Sequence, residues 1–134
     1  MDKKLSDVLV NFFYISNQIK LYHWQTFSYA RHKATDELFA DFNELIDKFI
    51  EVLTGRLVIE NNNPNYRIQI KDNCEMIKLI NLSDSNSHLI IKRILLYLES
   101  DEFNNIIKNY SELLTIKDEM LIIINKTNYL FSLK

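Results

Sequence analysis

Five residues in the first half of the chain carry side chains able to share a metal ion: His23, His32, Asp36, Asp47 and Glu51. The last four are separated by steps of four, eleven and four residues. At roughly 100° of turn per residue each step approximates whole turns, so on a helix these four share an arc of about 100°. Two imidazoles with three carboxylates form a mixed nitrogen and oxygen donor set. Such a set suits iron, with manganese and zinc as substitutes. Open coordination positions would admit oxygen or peroxide, a requirement of redox chemistry that a closed structural site does not meet. Each residue also has an ordinary explanation. His23 would be a helix-end cap or a core residue, and His32 with Asp36 an i, i+4 pair worth a few tenths of a kcal/mol. Asp47 and Glu51 would be surface acids paired with Lys48, Arg56 or another subunit's arginine. The joint spacing favours the metal.

The helix that must carry this stripe starts at Ser28, a suitable N-cap, and is expected to stop at Gly55, the usual left-handed terminator. Leu38, Phe39, Phe42, Leu45, Ile46, Phe49, Ile50 and Leu53 occupy an adjoining apolar arc of roughly 140°. Glu37, Asp41, Glu44 and Lys48 lie beyond it, on a solvated face. Before this helix, Leu5, Val8, Leu9, Phe12, Ile15, Ile19 and Tyr22 recur at three and four residues, and His23 ends the inward stripe of a first helix. Trp24 is by base rate a core aromatic. The connection through residues 25–28 is short, so the two helices should be antiparallel neighbours.

A long irregular stretch follows, with the turn-forming run Asn61, Asn62, Asn63, Pro64, Asn65 and an alternating piece from Tyr66 to Ile70. A connection of that length is expected only where it has work to do, here to carry the chain from one end of a bundle to the other. A third helix, capped by Ser83 or Ser85, runs through Leu89, Ile94, Leu98 and Ile107, with a kink or break at Ser100-Asp101. A fourth starts at Ser111 and reaches the end of the chain. Short, long and short loops make the expected fold all-α: a ferritin-like four-helix bundle with one long crossover between helices 2 and 3. The single Gly and single Pro argue against hairpins and sandwiches.

With 134 residues and 47% hydrophobic content, the chain suits one globular domain spanning 1–134. A net charge of −2 and the lack of a basic tail give no reason to expect nucleic-acid binding. The N-terminal residues form no apolar run long enough for a signal peptide or a membrane span, so no membrane partner is expected. A lone Cys74 excludes an internal disulfide framework and suits a reducing, intracellular location; no role is assigned to it. Paired Glu-x-x-His motifs, the mark of di-iron sites inside one bundle, are missing from the sequence. A stripe that borders the core without belonging to it would instead complete a site across a two-fold axis with a second subunit.

His23-Trp24 followed by His32, Asp36, Asp47 and Glu51 resembles the signature of the Dps mini-ferritins. That resemblance implies that His23, His32 and Asp36 of one subunit face Asp47 and Glu51 of its two-fold mate, with Trp24 nearby in the second shell. Together they would form a ferroxidase centre that oxidises Fe(II), usually with hydrogen peroxide, limiting oxidative damage and storing iron. It also implies a homodimer at least, and a dodecameric shell as the full assembly. His23 stands nearer to His32 than in that family, and the family's lysine-rich tail is lacking. The run YHWQT…SYARHKA is similar to a hallmark of an uncharacterised family that recurs in large DNA viruses. The alternative expectation is therefore a non-catalytic helical structural or interaction protein, viral or virion-associated, with a degenerate metal site.

Overall fold

The computed structural model describes residues 2–133; Met1 and Lys134, the ends of the expected domain, lie outside the described residues. These form five helices and no strand: α1 (Asp2–Gln25), α2 (Tyr29–Glu60), α3 (His88–Leu98), α4 (Asp101–Ile107) and α5 (Ser111–Ser132). No helix is long and apolar enough to cross a membrane, among the described residues.

The apolar periodicities explain which faces turn inward. Leu5, Val8, Phe12, Ile15, Ile19 and Tyr22 of α1 are buried, as are Leu38, Phe42, Phe49 and Leu53 of α2. Phe39, Leu45, Ile46 and Ile50 pack at the margin of the same core. Phe12 sets its edge against Phe49 at 5.2 Å between ring centroids, and Phe103 stacks on Phe49 at 5.5 Å. The third expected helix is broken in two. Ser100 leaves helical geometry and its hydroxyl accepts from the Phe103 N–H at 3.2 Å, so it caps a new short helix, α4. The break turns Phe103 and Ile107 into the core.

Helix α2 does not stop at Gly55. It runs on to Glu60 because tertiary contacts hold its last turns: Leu57 is buried, Arg56 pairs with Glu112 at 2.8 Å, and Tyr110 donates to Glu60 at 2.6 Å. The left-handed terminator is Asn62, at φ 48°. Around it the Asn63 N–H reaches the Val58 carbonyl and the Asn62 N–H the Ile59 carbonyl, both at 3.1 Å, closing a Schellman motif.

The segment between α2 and α3 runs the length of α1. Lys71 N–H donates to the Ser6 hydroxyl at 2.9 Å near the start of α1. Further along, the Gln18 side chain donates to the Ile80 carbonyl at 2.8 Å and accepts from its N–H at 3.0 Å. At the far end the Gln25 side chain accepts from Leu82 N–H at 3.0 Å. Ser6 and Gln18 are buried polar residues for this reason: each supplies a backbone partner to a segment that has no sheet or helix of its own. The crossover therefore returns the chain to the end where α1 finished. α1 rises, α2 descends, α3 and α4 descend, and α5 rises to place Phe131 beside Arg31 of α2.

Gly55 sits exposed inside α2 at negative φ, and a Cβ there would meet no atom within 4 Å. Gly55→Ala should therefore stabilise the protein by about 0.5–1 kcal/mol, by removing backbone freedom from the unfolded chain. Chemical denaturation checks this; a loss of stability would mean that the helix ends at that residue after all.

Candidate functional site

The end of the bundle where α1 stops and α2 starts is organised by the hydrogen bonds of two residues, Asp84 and Arg31. Asp84, in the crossover, accepts from Tyr22 Oη at 2.6 Å, Thr26 Oγ1 at 2.5 Å and the Phe27 N–H at 3.1 Å. Arg31 extends from the first turns of α2 and donates to the Asp84 carbonyl at 2.9 Å, the Tyr22 hydroxyl at 3.2 Å and the Ser87 hydroxyl. Its second guanidinium nitrogen donates to the Phe131 carbonyl at 3.1 Å, and the group lies 5.0 Å over the Phe131 ring. Partial burial pulls the Asp84 carboxyl upward, but the bonds from Thr26, Tyr22 and Phe27, with the Arg31 charge, outweigh it and hold the group below its ordinary value.

Next to this clasp, His23 and His32 meet. Their rings stack at 3.9 Å between centroids with 17° between planes. His23 is buried at 6% exposure, whereas His32 is exposed on α2. His23 Nδ1 lies 3.0 Å from Thr35 Oγ1, and His32 Nδ1 lies 3.0 Å from the His23 carbonyl. Among the described residues neither Nε2 has a hydrogen-bond partner, and no buried polar side-chain atom is left unpaired. The free nitrogen of His23 therefore opens toward solvent.

Asp36, Asp47 and Glu51 are exposed on the same side of α2 and make no ion pair among the described residues. The cations that could have neutralised the last two are engaged elsewhere, Lys48 with Glu119 at 3.4 Å and Arg56 with Glu112. Asp36 follows His32 by one turn, but Asp47 is roughly 16 Å further along the axis. Among the described residues no three His, Cys, Asp or Glu side chains gather to hold an ion. One chain brings the two imidazoles together and leaves the distal acids apart.

Trp24 differs from its base-rate expectation. One residue past the inward His23, it is rotated about 100° outward and is 69% exposed, with Lys20 Nζ 5.7 Å over its ring. Two partners escape sequence reasoning. Asp84 is contacted across more than fifty residues of chain, a distance no periodicity spans. Thr35 was legible only as an inward position one turn after Arg31.

Asp84→Asn should cost about 1–2 kcal/mol at neutral pH, the worth of charged hydrogen bonds discounted for solvent. The lowered carboxyl value fixes the sign: this stability is present above the unfolded value of about 3.9 and is lost as pH falls through the folded one. Acid titration of unfolding should show wild type and variant converging below that range; a constant gap would contradict the assignment.

Residues 23–131 match a protein family described as one of unknown function, DUF5856. Neither the curated proteins nor the solved structures contain a match.

Proposed function

The chain belongs to DUF5856, a family of unknown function, and we propose from its own residues that it is a Dps-type mini-ferritin that binds and oxidises Fe(II) between two subunits. The observation that carries this is the His23–His32 stack, in which both Nδ1 atoms are tied to oxygen and neither Nε2 has a partner among the described residues. That is how metal-binding histidines are usually held, with the far nitrogen bonded to orient the ring. The rise, descent, descent and rise of the helices, with a crossover of full length, is read as a ferritin-like bundle whose third helix is broken in two.

The donor set fits the ion in a particular way. Nearly parallel rings cannot both hold one ion in their planes, so each imidazole serves its own ion. The 3.9 Å between rings is close to the separation of about 3.5–4 Å in two-metal sites. The remaining ligands come from a second copy. His32 and Glu51 stand equally far from the midpoint of residues 41 and 42, and so do Asp36 and Asp47. Two antiparallel α2 helices crossing at that midpoint place His32 against Glu51 of the partner subunit, and Asp36 against Asp47 of the partner subunit. Facing carboxylates repel, so this contact calls for a cation between them. Fe(II) is the substrate. Two ferrous ions each give up one electron to a hydrogen peroxide, whose O–O bond breaks to leave two hydroxide ions. The chain's residues hold the ions at the nitrogen and carboxylate oxygens, and Trp24 stands beside His23.

A second reading, a non-catalytic helical interaction protein with a degenerate site, is favoured by one observation. Tyr22, Gln25, Thr26 and Arg31 are all taken up by the clasp and the crossover, so their presence needs no metal. Elemental analysis of the purified protein separates the two.

Anaerobic Fe(II) titration should show saturable binding by a homodimer, with peroxide-dependent oxidation. Asp47→Ala with Glu51→Ala should abolish both while leaving the helical content intact, since both side chains are exposed. Unchanged binding in that variant would rule the assignment out.

A further inference from the structure

We propose that Thr35 is a positioning residue that sets the tautomer of His23 and so presents its Nε2 as the metal-facing atom; this rests on the metal-site reading above. Thr35 is fully buried, at 0% exposure, on the inward side of α2. Its hydroxyl lies 2.7 Å from the Arg31 carbonyl, one turn back, and 3.1 Å from the His32 carbonyl. A carbonyl only accepts, so the single hydroxyl hydrogen goes to the Arg31 oxygen, the shorter contact. The lone pairs of Thr35 Oγ1 then face His23 Nδ1 at 3.0 Å, and that nitrogen must carry the hydrogen.

The chain of donors continues into the second ring. His23 is among the last residues of α1, where helical carbonyls lack an N–H four residues on. The N–H that would have closed on it belongs to Phe27, and Asp84 has taken that group. The His23 carbonyl is capped instead by His32 Nδ1 from α2, at 3.0 Å. Hydrogens therefore run from Thr35 to Arg31, from His23 to Thr35 and from His32 to His23. Both rings are left with a lone pair on Nε2 only. Valine has the shape of threonine without the hydroxyl, and would keep the packing while removing the acceptor that orders the first ring.

The test is long-range proton–nitrogen NMR of the imidazoles in the metal-free full-length protein, at a pH where the rings are neutral. Wild-type His23 should show hydrogen on Nδ1. Thr35→Val should shift His23 toward hydrogen on Nε2 and weaken Fe(II) binding by about 10- to 100-fold, the usual effect of losing a ligand's orienting partner. Thr35→Ser should restore the Nδ1 signature and the affinity. A wild-type His23 with hydrogen on Nε2 overturns the proposal with no variant needed, as does a Thr35→Val protein with unchanged signature and affinity. If the wild type shows the Nδ1 signature, Thr35→Val removes it, and neither binds Fe(II), Thr35 still sets the tautomer and only the iron reading fails.

Discussion

The Arg31–Asp84 clasp is the interaction on which the rest of the architecture depends. It joins the end of α1 through Tyr22 and Thr26, the start of α2 through Arg31, the crossover through Asp84, the start of α3 through Ser87 and the end of α5 through Phe131. Four helix ends and a loop meet at the hydrogen bonds of these two residues. A guanidinium can do this because its donors are fixed in a plane and aim in several directions at once. The irregular crossover packs Leu82 into the core with Tyr66, Ile68 and Ile80 at its margin. Its backbone, without a sheet or helix, is held along α1 by polar anchors, and the clasp is the last of them.

The clasp also shapes the candidate site. By drawing the Phe27 N–H to Asp84, it leaves the His23 carbonyl for His32 to cap. Stacking of the two imidazoles is thus a consequence of how α1 ends. Helix α2 then serves three surroundings along one length: an apolar arc in the core, a charged arc that pairs with α5 through Lys48–Glu119 and Glu37–Lys126, and a stripe of acids that make no ion pair among the described residues. That third arc is unusual on an isolated chain. Like charges at Asp36, Asp47 and Glu51 lie exposed while nearby lysine and arginine turn elsewhere. In the proposed two-fold site it would be half of a surface completed by a second copy and a cation.

Much of this was legible beforehand. The three arcs of α2 follow from residue type and the helical repeat, and Ser28 capping Arg31 N–H at 3.2 Å follows from its position before the periodic run. The long crossover followed from the count of residues without periodicity. Gly55 misled because a glycine's freedom permits a helix to end without requiring it. The end moved to Asn62 because Leu57, Arg56 and Glu60 gain partners on other elements. Ser100 could be seen to interrupt the third helix, but whether by kink or break depended on burying Phe103 against Phe12 and Phe49.

By itself, the order of residues determined the all-α class, the inward faces and the spacing of five potential ligands, because these depend on contacts within a few turns of one helix. Tertiary structure alone decided that His23 stacks on His32, that Thr35 orders the first ring, that Asp84 anchors the clasp and that Trp24 faces outward beside the pair. Those outcomes depend on which distant group satisfies each helix-end carbonyl, N–H or buried hydroxyl. Local periodicity carries no information on that competition, since the partners stand up to a hundred residues apart.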